Sequence, residues 1–263
     1  MSQRFVFITQ EDPFYVRIFF EEFFANFKDR ARCAAVVIAP SMGKKSLFQL
    51  ARQMFDFYGP VGFVRMGFRF VFYKLMAKLP RGSNARHFYS IAQVCRAYGV
   101  PVLVTPSVNA PEFLRQLRAL DPALVASVAA PQIFRDELIG LPRLGCINIH
   151  NSRLPKYRGM LPNFWQMYNG EKQIGTTIHR INGKLDDGAI LLQREAAADP
   201  AHSLHERICT TKRQGASLMI DAIERAFAGT LSEAPNDSAQ ASHYTFPTKV
   251  EAREFRRRGM RLL

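Results

Sequence analysis

Three residues that can act together on a carbonyl group stand in one block of this 263-residue chain: Asn148, His150 and Asp186. Asn148 and His150 lie two apart in the run Gly145 to His150, which reads as a β-strand. Strand alternation puts residues i and i+2 on one face, so an amide and an imidazole converge there on one reacting centre. The later stretch NGKLDDGAI reads as a loop that presents Asp186 and Asp187 beside two glycines. A side-chain amide donates to a carbonyl oxygen as it becomes negative. An imidazole assists by proton donation or by charge, and a carboxylate orients or charges the imidazole and accepts an amine proton directly or through water. The set suits acyl-type transfer to an amine, with no covalent nucleophile. Taken singly, each residue also reads as structure: Asn148 as a strand-end amide, His150 as a core histidine, Asp186 as a turn residue.

Residues that must converge need elements to carry them. Arg4–Ile8, Ala34–Ile38, Val100–Val104, Leu124–Val128, Gly145–His150 and Thr176–Ile181 read as strands. Helical spacing lies between them, at Phe14–Phe27, Leu114–Leu120, Gln132–Ile139 and Asn163–Asn169, and a final helix over Leu204–Phe227 stops at Gly229. The alternation predicts an α/β fold, a mostly parallel sheet flanked by helices. In such a sheet ligands bind in the crevice at the carboxyl ends of the strands, where Asn148 and His150 end theirs. With 48% hydrophobic and 22% charged residues, the composition excludes a largely disordered chain. The catalytic domain is expected over 1–229, with 230–263 as a short basic tail.

Two regions break the alternation. Residues 41–86 carry nine Lys or Arg, one acidic residue (Asp56) and many aromatics, and read as a helical insertion. Its charges interrupt every apolar run too often for a transmembrane helix. Either it lies as a helix pair on an anionic membrane or it packs on protein, the domain surface or a second copy. The tail ends REFRRRGMRLL and reads as a solvated face, so nucleic acid is not the expected partner. The net charge of +14 calls for an anionic partner of some kind. Four scattered cysteines without a C-x-x-C pair indicate neither a metal site nor a disulfide framework. The N-terminus reads as a first strand rather than a signal peptide, which predicts a cytoplasmic protein, held at the inner membrane face if the insertion docks there.

The block from Gly145 to Gln193 closely resembles the folate-dependent formyltransferases. Their pattern of Asn-x-His, x-Ser-x-Leu-Pro-x-Tyr-x-Gly and a distant Leu-Asp-x-Gly recurs as Asn148, His150, Ser152, Leu154, Pro155, Tyr157, Gly159, Leu185, Asp186 and Gly188. The likeness covers Pro101 to Phe227 well and the first strand-helix-strand unit loosely. It implies a Rossmann-like formyltransferase fold, N10-formyltetrahydrofolate as formyl donor, and Asn148, His150 and Asp186 as the catalytic set. It places the pterin among backbone groups of Ala130, Pro131, Gln132, Ile133 and Phe134, with Gly183, Lys184, Leu185 and Asp187.

The resemblance also bears on the acceptor, a primary amine. RGMLPNFWQMYNGEKQIGTTIHRI looks most like formyltransferases acting on amino sugars for surface polysaccharides or glycolipids, which implies a small, phosphate-bearing acceptor on a nucleotide or lipid carrier. Glycinamide ribonucleotide transformylases hold a phosphate on a glycine-rich first βα turn. Here that turn is ITQEDPFYV, with no glycine and two carboxylates. Methionyl-tRNA formyltransferases carry a further β-barrel, for which the 34 residues after Gly229 are short. Hydrolysis of the formyl folate and an inactive membrane-associated binding module are the other readings. Trp165 reads as packing, His179 as structural or cleft-facing, and homodimerisation through either irregular region is open.

Overall fold

A computed structural model describes residues 3–40, 46–82, 85 and 87–263. In chain order the elements are β1 (Phe5–Gln10), α1 (Val16–Asn26), β2 (Cys33–Ala39), α2 (Leu47–Met76), α3 (Ile91–Ala97), β3 (Val102–Val104), α4 (Pro111–Leu120), β4 (Leu124–Val128), α5 (Asp136–Ile139), β5 (Cys146–His150), β6 (Arg158–Gly159), α6 (Pro162–Tyr168), β7 (Gln173–Arg180), β8 (Ile190–Ala197), α7 (Leu204–Ala228), β9 (His243–Tyr244) and α8 (Lys249–Arg257).

Seven strands form one sheet in the order β3-β2-β1-β4-β5-β7-β8. The first five are parallel, whereas β7 runs antiparallel to β5 and β8 antiparallel to β7. This is the mostly parallel sheet that the alternation predicts, in the Rossmann-like form that the resemblance implies. The antiparallel edge and β8 were not legible, because ILLQREAA carries charge in a strand whose outer half is exposed. The chain winds outward from β1 to β3 and then restarts at β4 on the other side of β1. Connections therefore diverge at the β1/β4 carboxyl ends and leave a crevice.

Strands covered on both faces read as continuous apolar runs, and β1, β2 and β4 are buried almost throughout. On one face Phe5 and Phe7 meet the α1 phenylalanines edge-on, as in the Phe7–Phe23 pair at 4.9 Å, and α7 covers the same layer. On the other, Phe113, Leu114 and Leu117 of α4 pack against Val6, Ile8 and Val125. A reciprocal Ser203/Glu206 capping box starts α7 and Gly229, at φ 70°, ends it.

The irregular regions are more ordered than their composition implies. Within the 41–86 insertion, residues 41–45, 83, 84 and 86 lie outside the described residues. Most of the rest is α2, which breaks at Gly59 (φ 73°) and Pro60 into two helical segments. The tail expected as a solvated run folds back: β9 pairs with β6, and Ala252 and Phe255 of α8 are fully buried beside Phe57, Phe164 and Trp165. One face of α8 is apolar and only its arginine face, including Arg253 and Arg257, is exposed, so charge count alone misreads it. Among the described residues no helix is long and apolar enough to cross a membrane.

Candidate active site

A cavity of about 350 Å³ opens at the carboxyl ends of β4 and β5 and is lined by Asn148, His150, His179, Asp186 and Lys212. Asn148 and His179 are direct cross-strand partners in the β5/β7 pair. The Asn148 Nδ2 lies 3.0 Å from His179 Nε2, while His179 Nδ1 lies 2.7 Å from the Arg180 carbonyl. The carbonyl requires Nδ1 to carry the ring proton, so Nε2 accepts one Asn148 N–H. The second amide hydrogen is left for a ligand.

His150 Nε2 donates to the Tyr157 carbonyl at 2.7 Å, and Nδ1 faces Asp186 Oδ2 at 3.5 Å. Burial drives the imidazole's pKa down against the pull of Asp186, so the neutral ring prevails at neutral pH. Burial pushes the Asp186 carboxyl up, but His150, His179 and the Gly159 N–H outweigh it and hold it down at about 2. That N–H donates to Oδ2 at 2.9 Å, and His179 Nε2 is 3.6 Å from Oδ1. The site thus holds a carboxylate between two imidazoles.

The loop residues of the motif supply this geometry. Ser152 Oγ donates to the Lys156 carbonyl, Thr177 Oγ1 ties the loop to β7 through the Ser152 carbonyl, and the Tyr157 hydroxyl donates to Glu171. A Cβ on Gly159 (φ 99°) would sit 2.2 Å from the Tyr244 carbonyl, and one on Gly188 would sit 1.9 Å from the Arg180 carbonyl. Four non-glycine residues around the cavity, Ala129, Tyr157, Leu161 and Asp186, hold left-handed backbone. Such conformations persist only where surroundings over-determine them, and they cluster at functional sites.

Of the residues expected to hold a ligand, Ala130, Pro131, Gln132, Ile133, Phe134, Gly183, Lys184 and Leu185 all line the cavity. Asp187 does not: its carboxylate is bound by the buried Arg158 at 2.6 Å and by Ser238. The Gln132 side chain is engaged with Val108 N and the Pro106 carbonyl, so its backbone is what faces the cavity. Among the described residues, the N–H groups of Ala130, Gln132 and Phe134 have no protein acceptor. Ile133 and Leu185, 68% and 58% exposed, give the mouth apolar edges. Free donors between apolar edges fit a flat, hydrogen-bonding heterocycle.

Lys212 was not singled out from the sequence. It is 8% exposed, and among the described residues nothing is hydrogen-bonded or ion-paired to it. Burial pushes its pKa down, with Asp12 opposing. The available signal is a cation four residues after Ile208 and four before Ala216, on the buried stripe of α7. Trp165 is packing: it stacks on Tyr244 at 4.6 Å and donates to the Thr245 carbonyl.

A family model described as formyl transferase matches residues 78–223, a range that includes Asn148, His150, Asp186 and Lys212. Methionyl-tRNA formyltransferase of Geobacter metallireducens is 39% identical over 149 residues, 56% of this chain and 47% of that protein. The chain spans about half the length of the curated relatives it matches. Among solved structures, glycinamide ribonucleotide transformylase 1 of Symbiobacterium toebii superposes with TM-score 0.59 at 15% identity, over 89% of this chain and 91% of that one. An N-formyltransferase of Helicobacter canadensis, solved with folinic acid and dTDP-3-aminofucose, does so with TM-score 0.53 at 12% identity, over 92% and 70%. These two likenesses are of fold. With more than half of its residues matched by the family model, the chain belongs to the formyl transferase family.

Proposed function

We propose that the protein transfers the formyl group of N10-formyltetrahydrofolate to the primary amine of an amino sugar. The observation that carries the formyl-transfer reading is the convergence of Asn148, His150 and Asp186 on one cavity whose other wall offers unpaired backbone donors. When bound, the folate supplies an activated N-formyl group. The free Asn148 hydrogen meets a carbonyl oxygen as it gains negative charge, and His179 keeps the amide turned toward it. The ionised Asp186 accepts the proton of the attacking amine, directly or through water. Its low basicity passes that proton on to Nδ1 of His150, 3.5 Å away. The resulting imidazolium adds positive charge beside the oxyanion and gives its proton to the departing folate nitrogen as that nitrogen's bond to the formyl carbon breaks, while the Nε2 bond to Tyr157 fixes the ring.

Two features favour an amino sugar. Asp12 Oδ1 accepts the N–H groups of Phe14 and Tyr15 at 2.7 and 2.9 Å, so the turn leading into α1 already holds a carboxylate on its backbone donors. A phosphate there, as on glycinamide ribonucleotide, would meet that charge. Lys212 instead sets an unpaired cation in the cavity wall, which suits an acceptor bearing an anionic group near its amine. A second reading, formylation of methionyl-tRNA, is favoured by the 39% identity to a protein of that name. Both are tested by following conversion of N10-formyltetrahydrofolate to tetrahydrofolate spectrophotometrically. The panel holds nucleotide-linked and lipid-linked amino sugars, glycinamide ribonucleotide, methionyl-tRNA and no acceptor. Turnover with an amino sugar alone is expected; turnover with methionyl-tRNA alone overturns the substrate, and none with any acceptor overturns the reaction.

A further inference from the structure

The second segment of α2, after the Gly59–Pro60 break, is clamped to the protein along one side. Gln93 Nε2 donates to the carbonyls of Met76 and Leu79, Tyr73 packs on Phe14 and Tyr89, Arg69 reaches His205, and Met66 is buried. The side turned away carries a second apolar row. Val61, Val64, Phe68, Val71 and Leu75 are spaced 3, 4, 3 and 4 apart and are all exposed, Val61 at 82% and Phe68 at 75%. At 3.6 residues per turn they fall within an arc of about 80° and run for about 21 Å. A row so regular, on a helix already anchored by its other side, exceeds the scattered apolar residues of ordinary surfaces.

The charges decide what covers it. On the same helical wheel Arg65 borders one edge of the row and Lys74 the other, and Lys78 follows in the turn just past the helix end. All three are exposed. Between Gly59 and Gly82 the sequence has five cations and no acidic residue. Two copies of this face laid together would oppose like charges, with no acidic residue of this segment to offset them and Glu11 facing Lys74 alone. An anionic bilayer accepts both parts: the apolar row enters the headgroup–acyl boundary, and the long basic side chains reach outward to phosphates.

We propose that this face of α2 docks the protein on an anionic membrane surface, lying in the interface without crossing it. Docking is independent of the formyl-transfer reading.

Sedimentation of the full chain with vesicles tests it. Binding is expected to phosphatidylcholine–phosphatidylglycerol vesicles, well above that to phosphatidylcholine alone, and to fall as salt rises. The double variant Val64→Glu, Phe68→Glu is expected to lower partitioning about tenfold or more while leaving the melting temperature and solution turnover unchanged. Lys74→Glu with Lys78→Glu is expected to remove the preference for anionic vesicles. Failure of the wild type to bind, or unimpaired binding by the Val64/Phe68 variant, overturns the proposal. So does a wild-type dimer that this variant dissociates while vesicles capture neither, which makes the face a subunit interface.

Discussion

The amide of Asn148 and the ring of His179 face each other across the β5/β7 pair, 3.0 Å apart, and the Arg180 carbonyl fixes the ring's tautomer. An amide held this way cannot flip its oxygen toward a developing oxyanion. Asn148→Ala is expected to lower kcat about 10²–10³-fold, the usual cost of one oxyanion donor. His179→Ala is expected to lower kcat less and to leave KM for the folate unchanged, a split that steady-state kinetics resolves. Equal loss in both parameters would instead make His179 a binding residue.

Asp186 adopts φ 49°, which asparagine tolerates, so Asp186→Asn is expected to keep the fold and abolish turnover. Its carboxyl sits at about 2, below an ordinary 3.8. A depressed carboxyl contributes stability that is present above the unfolded value and is lost as pH falls through the folded one. The contribution is about 2 kcal/mol. Urea unfolding between pH 5 and pH 2 is expected to show a shallower loss for the variant than for the wild type.

For His150 the sign is set by burial, which favours the neutral ring in the folded state. The unfolded chain binds the proton near pH 6.5 and the folded one only below it, so stability falls as pH drops through that region. His150→Gln is expected to flatten the melting temperature between pH 7 and pH 5. A variant as pH-sensitive as the wild type would remove His150 as the cause.

Lys212 is buried with no ion pair, Asp12 offsetting its burial only in part, so Lys212→Met is expected to stabilise the protein by ~1–4 kcal/mol. The same change is expected to raise KM for an anionic acceptor at least about tenfold while sparing folate binding. A neutral acceptor analogue, turned over equally by both proteins, checks that the effect is electrostatic.

Gly159→Ala is expected to cost activity and stability together. The new methyl would overlap the Tyr244 carbonyl, part the β6–β9 ribbon and draw the N–H away from Asp186. Circular dichroism melts and turnover on one preparation measure both losses.

The parallel sheet and its helices were legible in the sequence because short continuous apolar runs alternate with stretches of period 3.6 from β1 to β5, outside the 41–86 insertion. The convergence of Asn148, His150 and Asp186 on one cavity was legible because their spacing repeats a known pattern and because i, i+2 on a strand fixes a shared face. What escaped depends on partners far along the chain. Lys212 reads as a surface cation until α7 turns it inward, Asp187 reads as a site carboxylate until Arg158 claims it, and α8 reads as a solvated basic run until Phe255 is seen beneath it. The role of Arg69 was hidden in the same way, since only the fold tells which side of α2 faces protein.

The loop bearing Asp186 is held from a distance. Asn236 Nδ2 donates to the carbonyls of Asp186 and Gly188, and Tyr157 and Arg158 are pinned by Ser242. These supports are made some fifty residues after the loop itself. A nascent chain that has emerged only as far as the sheet and the strip of free backbone donors therefore still lacks the supports that hold this carboxylate. The placement of Asp186 rests on contacts of long sequence separation, whose closure carries an entropic cost.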